Sequence, residues 1–228
     1  MKTFILFVST SAVIVSASLG AIVEWGASIS NGLSVSTGAS LPANSFLRIG
    51  SFDISDAVIA QNAGNTPFLD SHFIQFGIAR IGDGLPGIAG HFSTSSQNDS
   101  GTTGLNLAGS QIYLWAFAST DNSSPATSLQ TATEQGIFYV DIASDPDWAF
   151  PVQEPVPQNT TIDLSDLTLA NNAAALRPGA HVVVGNFPVG VSPETGAPNF
   201  ALAVPEPSSA LLAFAGVNAL LIRRRRSK

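Results

Sequence analysis

Gln111-Ile112-Tyr113-Leu114-Trp115-Ala116-Phe117-Ala118-Ser119 is the stretch that decides the fold. Side chains alternate across a strand with a period of two. Ile112, Leu114 and Ala116 therefore fall on one face, and Tyr113, Trp115 and Phe117 on the other. Both faces are apolar. Such a strand is either central and packed on both sides, or carries an aromatic platform on one side. Aromatic rows on a strand can stack on sugar rings, so Tyr113, Trp115 and Phe117 are the candidate carbohydrate-stacking set. Inter-sheet core packing is the competing use of the same residues.

Further strands are expected on both sides of it: Ala21 to Ile29, Phe46 to Ile54, His91 to Ser95, Gly136 to Ile142, Trp148 to Phe150 and His181 to Phe187. Ile162 to Leu169 alternates only in part and fits a strand or one helical turn. Asn31-Gly32 and Asp145-Pro146 read as turns, and Pro151 to Pro157 reads as extended loop. Gly50 is expected at a bulge or close approach. Phe68, Leu69, Phe73 and Phe76 follow Asn65-Thr66-Pro67 at spacings that make one helical face, the best helix candidate of the chain. Gly77 to Gly90 is glycine-rich and reads as a flexible loop. Its Gly82-Asp83-Gly84 lacks the lysine and the strand-to-helix setting of a phosphate loop. No internal repeat is visible. About eight short strands between Gly, Pro and Asn turns imply a mainly β domain, an antiparallel β-sandwich or jelly roll with one short helix.

Composition narrows the class. There is no cysteine, so stability cannot come from disulfides. Only 11% of residues are charged. Six of the nine basic residues sit at the two ends. From Ala21 to Val204 three arginines (Arg48, Arg80, Arg177) stand against 15 acids, which leaves that stretch at −12. Such a body repels phosphate backbones, and nucleic acid is not an expected partner. Low charge with abundant Ser, Thr, Asn and Gly fits an extracellular β-rich domain.

The two ends read as targeting segments. Met1-Lys2-Thr3, the apolar Phe4 to Val15 and the small residues Ser16 to Gly20 make a secretory signal peptide, cut by signal peptidase after Gly20 or after Ser18. At the other end Val204-Pro205-Glu206-Pro207 precedes an apolar run, Ser208 to Ile222, and a basic block, Arg223-Arg224-Arg225-Arg226-Ser227-Lys228. As a helix the run measures about 22 Å at 1.5 Å per residue. A hydrocarbon core is about 30 Å thick, so the run spans only with bilayer thinning or snorkelling arginines. Arg223 to Arg226 form a stop that stays cytoplasmic. Pro205 and Pro207 cannot continue a helix and are expected to hold Glu206 extended outside the bilayer. The expected order is signal peptide 1–20, β-rich domain 21–185, Pro- and Gly-rich spacer 186–203, and C-terminal segment 204–228 with a transmembrane helix over about 208–222.

Motif, span, basic end and position together resemble the PEP-CTERM sorting signal of bacterial exported proteins. The resemblance covers about a tenth of the chain, with Asn218 a mild departure. It implies an exosortase, a membrane transpeptidase-like enzyme, as partner, and a setting rich in extracellular polysaccharide. Pro205, Glu206 and Pro207 are then the sorting motif. Arg48-Ile49-Gly50-Ser51-Phe52 and Gln111-Ile112-Tyr113-Leu114-Trp115 loosely resemble segments in the bodies of other PEP-CTERM proteins, which implies no activity.

Candidate chemistry in the body is sparse. His72, His91 and His181 lack the spacing of a zinc site. Asp141, Asp145 and Asp147 offer oxygen ligands that calcium accepts, without the spacing of an EF-hand loop. No Gly-x-Ser-x-Gly elbow occurs. No cofactor is expected. Two readings follow: a non-catalytic cell-surface or matrix protein sorted by its tail and associated with polysaccharide, or a secreted glycoside hydrolase-like enzyme with the same tail, whose paired carboxylates would be spatial rather than sequential.

Overall fold

A computed structural model of the chain describes residues 22–27, 30–97, 107–151 and 159–204. The elements run in the order β1 (Ile22–Ala27), β2 (Leu33–Ser34), β3 (Phe46–Phe52), α1 (Asp56–Gln61), α2 (Thr66–Ser71), β4 (Phe73–Arg80), β5 (Phe92–Gln97), β6 (Tyr113–Ser119), α3 (Pro125–Gln130), β7 (Ala132–Val140), β8 (Asn159–Asp163), β9 (Thr168–Leu169), β10 (Asn172–Leu176), β11 (Ala180–Val184), β12 (Asn186–Val191) and β13 (Pro198–Ala201). The expected signal peptide and the segment from Pro205 onward lie outside the described residues.

The domain is mainly β and sandwich-like. A five-stranded antiparallel sheet, β11-β7-β6-β3-β4, forms its middle, with β6 in the central place. Two smaller sheets, β5-β1-β8 and β12-β13-β2, pack against one face, and β9 pairs with β10 apart from them. Not every pairing is antiparallel: β1 pairs β8, and β13 pairs β2, in parallel.

Both faces of β6 are covered, as its sequence requires. Leu114 and Ala116 look toward the small sheets with Leu47, Ile49 and Phe138 beside them, and Phe138 meets Phe200 of β13 edge-on at 5.4 Å. Trp25 of β1 lies against Phe92 of β5 in the same core. Tyr113, Trp115 and Phe117 look the other way, toward α1, α2 and α3. Arg48, opposite Trp115 in the sheet, reaches Asp70 of α2 at 2.6 Å, and Ser119 donates to the Ser128 carbonyl of α3. Burying one large apolar side chain contributes roughly 1.5–3 kcal/mol. A strand with apolar residues on both faces is stable only between two layers.

Close approach fixes two of these layers. A Cβ on Gly77 of β4 would collide with Ser96 of β5, so the five-stranded sheet and the β5-β1-β8 sheet meet there backbone to side chain. A Cβ on Gly50 would lie 2.6 Å from the Phe73 ring and collide with the Ile74 carbonyl. The register between β3 and β4 shifts at Gly50, where the sequence calls for a bulge or close contact.

Several expectations are corrected. The helix over Phe68 to Phe76 ends at Ser71. Asn65 caps it by accepting from Phe68 N–H, and His72 closes it. Phe73 and Phe76 belong to β4, because a one-turn helix followed by an alternating strand also places these aromatics inward. There are three short α-helices among the described residues, not one. The glycine-rich stretch begins inside β4, which runs to Arg80. Trp148 ends a 3-10 turn, Pro146–Trp148, and only Ala149 bridges to Gln111. Asn31 is buried and donates to the carbonyls of Ala173 and Pro198, so it cross-links segments rather than tipping an exposed turn. The expected spacer 186–203 is part of the fold: it holds β12 and β13, and Phe200 and Leu202 are fully buried.

One half-buried carboxyl is expected to give the fold a pH dependence. Asp166 caps the turn Leu164–Leu167, accepting from Asp163 N–H at 2.7 Å and Trp148 Nε1–H at 3.3 Å. Burial raises its pKa above the ordinary 3.8, against the lowering effect of the Asp163 N–H bond. A raised carboxyl pKa favours the protonated native state, so its contribution is full below 3.8 and is lost as pH rises through the folded value. Asp166→Asn keeps an acceptor and cannot ionise. The wild type should gain stability relative to Asp166→Asn as pH falls from neutral toward 4, read from urea midpoints. A pH-independent difference would remove Asp166 as the cause.

Candidate functional site

The aromatic set does not form an open platform. Tyr113, Trp115 and Phe117 are 8%, 0% and 1% exposed. Trp115 packs against Phe52, Phe73 and Phe117, and its Nε1–H donates to Gln135 Oε1 at 2.8 Å. The helices cover this face, so no sugar ring can lie on it. The correction follows from burial: the three residues are core.

The histidines are far apart in role. His72 Nδ1 is 2.7 Å from Asp53. His91 is buried, with Nδ1 2.8 Å from the Ala27 carbonyl and Nε2 3.0 Å from Ser192 Oγ. The carbonyl only accepts, so Nδ1 carries the proton. Ser192 is buried too, so the pair clasps the end of β1 to the residue after β12. His181 Nε2 lies 3.0 Å from Asp141 Oδ2. The acids considered for calcium separate as well: Asp141 holds His181, Asp145 holds Arg177 at 2.6 Å, and the Asp147 carbonyl accepts from Thr160. Among the described residues, no group of three or more His, Asp or Glu side chains converges on one metal position.

A different constellation is brought together at the end of β6. Tyr113 and Tyr139 are the chain's only two tyrosines. They sit side by side in β6 and β7, rings 4.7 Å apart, and both donate to Asp56 at the first position of α1. Tyr113 Oη is 3.1 Å from Oδ1, and Tyr139 Oη is 2.6 Å from Oδ2. His181, directly opposite Tyr139 in β11, stacks on its ring at 4.5 Å and 3° and completes the row. The strands place this row because alternation puts Tyr113 and Tyr139 on the helix-facing side. The sequence signal was the pair of lone tyrosines near the ends of two neighbouring strands.

The electrostatics of the row favour donors over bases. Burial first, and the Asp56 charge with its hydrogen bond next, raise both phenol pKa values above the ordinary 10.0. Both hydroxyls therefore stay protonated and cannot act as phenolate bases at neutral pH. The arrangement ties a helix to a sheet and leaves His181 and Asp141 at its outer end.

No protein-family model, curated protein or solved structure matches this chain. The sorting residues Pro205, Glu206 and Pro207 and the basic stop Arg223 to Arg226 lie outside the described residues.

An unpaired buried hydroxyl costs about 1–3 kcal/mol. Asp56→Ala strands two of them and should destabilise the protein by roughly 2–4 kcal/mol, read from denaturant unfolding. Tyr113→Phe and Tyr139→Phe should each cost less. In either Phe background the further cost of Asp56→Ala should shrink, since one stranded hydroxyl is gone. Full additivity would show that the shared carboxylate does not couple the two rings.

Proposed function

We propose that the protein is exported and works, without catalysis, at the cell surface or in the extracellular matrix, sorted through its C-terminal segment by an exosortase-type membrane enzyme and associated with extracellular polysaccharide. The observation that supports this reading is how the chain is held just before the motif. Leu202 is buried, Ala203 is bonded both ways to Gln135 at 2.9 and 3.0 Å, and Val204 is already 55% exposed. Pro205-Glu206-Pro207 follows at once. Three residues reach at most about 10 Å, so Glu206 stays close to the body whichever way the chain turns. A short recognition peptide tethered within two residues of an exposed Val204 would suit an enzyme that reads it at the membrane surface.

The acids support the non-catalytic half. Glu134 accepts from Ser36, Asp70 from Arg48, Asp83 from Arg80 N–H, Asp145 from Arg177 and Asp163 from Ser165. Carboxylates used this way hold turns and strands, whereas glycoside hydrolysis needs two that face each other across a substrate.

The test is a mass measurement of the C-terminus in cells that carry the sorting enzyme. Glu206 is the only charge between Glu194 and Arg223. Glu206→Gln should block processing and leave export intact, because the signal peptide directs export. Replacing Arg223 to Arg226 with Ser should instead weaken the stop and release unprocessed protein. Identical mature C-termini in the wild type and Glu206→Gln would sink the sorting role of this residue.

A further inference from the structure

We propose that the outer side of the His181 ring, with the Asp141 carboxylate beside it, is a binding subsite for one pyranose ring of a neutral glycan chain. The proposal rests on the exported reading only for where such a glycan is met.

The ring is built to be rigid. Tyr139 backs one face of His181 in a near-parallel stack at 4.5 Å, and Tyr139 is itself held by Tyr113 and Asp56. Asp141 holds Nε2 at 3.0 Å. With one face covered and one edge bonded, the imidazole has little freedom left. Yet its side chain is 40% exposed, and that of Asp141 is 45% exposed. The exposure of His181 therefore belongs to the face away from Tyr139 and to the remaining edge. A fixed flat ring with a half-open carboxylate at its rim matches the two sides of a pyranose: C–H groups lie on the ring, and neighbouring hydroxyls donate to the carboxylate. The rotamer entropy of both partners has been lost already on folding, which favours binding.

Charge chooses the class. Asp56 and Asp141 contact the row, and Arg177 is engaged by Asp145, whose N–H donates to the Asp141 carbonyl. Uronate, sulfate or phosphate groups would meet repulsion there. A neutral chain does not. Tyr113, Trp115 and Phe117 are too buried for this role, while the row that begins at Tyr113 surfaces at His181.

The full chain in detergent micelles is titrated with neutral cello-, manno- and galacto-hexasaccharides and with an oligogalacturonate of equal length, followed by calorimetry and by the His181 ring-proton shifts. At least one neutral probe should bind and move those protons, and the uronate should bind more weakly. His181→Ala should lower affinity by about tenfold or more, and Asp141→Asn should also weaken it. Tyr139→Phe keeps the backing ring but frees it from Asp56, and should weaken binding less than His181→Ala does. Melting temperatures show whether each variant is folded, and His181→Gln serves if His181→Ala is not. Absence of binding to all neutral probes, tighter binding of the uronate, or full affinity in a folded His181 variant would each overturn the subsite. Normal C-terminal processing of His181→Ala in cells would show that the sorting reading stands apart from it.

Discussion

Double burial of β6 is the constraint on which the rest of the structure depends. A strand that carries Leu114 and Ala116 on one side and Tyr113, Trp115 and Phe117 on the other has no side to offer water. One layer of sheet covers the first side and one layer of short helices the second. The smaller sheets need not be regular to do this. They need only bring Trp25, Phe92 and Phe200 against the five-stranded sheet. The helices are six residues each, too short to be stable alone, and are held by the sheet they cover.

Polar groups carried inward by that covering set the remaining terms. An unsatisfied hydroxyl or indole N–H in such a layer costs more than a typical hydrogen bond returns, so each must find a partner. Tyr113 and Tyr139 share Asp56, Trp115 uses Gln135, and Arg48 uses Asp70 and Gln75 while lying over the Phe73 and Trp115 rings. These bonds fix where the helices sit, and the outer end of the tyrosine row reaches solvent.

What was legible in the sequence was local. The alternation in β6 announced a strand covered on both sides, and β1, β3, β7 and β11 carried enough apolar residues to be seen, whereas β5 has only Phe92. Asn65 and Pro67 marked a helix start, but spacing alone could not show that the chain turns from helix to strand at His72. Residues 186–203 have the Pro and Gly content of a spacer. They form strands because the shifted register between β12 and β13 tolerates Pro188 and Gly190. The parallel pairings were not legible, since β1 and β8 lie more than 130 residues apart. Asp56 was missed for the same reason: it meets its tyrosines across 57 and 83 residues.

Gln135 ties these separate parts of the fold together. Its side chain accepts from Trp115 Nε1–H and donates to the Ala63 carbonyl just beyond α1, while its backbone pairs with Ala203 in both directions. One fully buried amide thus joins the central sheet, the stretch just beyond α1 and Ala203, near the end of the described residues. A pull on that segment would act on β7 in the middle sheet rather than on a loose end. Two backbone bonds and the buried Leu202 resist it, and both lie within five residues of Glu206. Ala203 is therefore tied to the middle sheet, through a residue that is itself fully buried, two positions before the Pro-Glu-Pro motif begins.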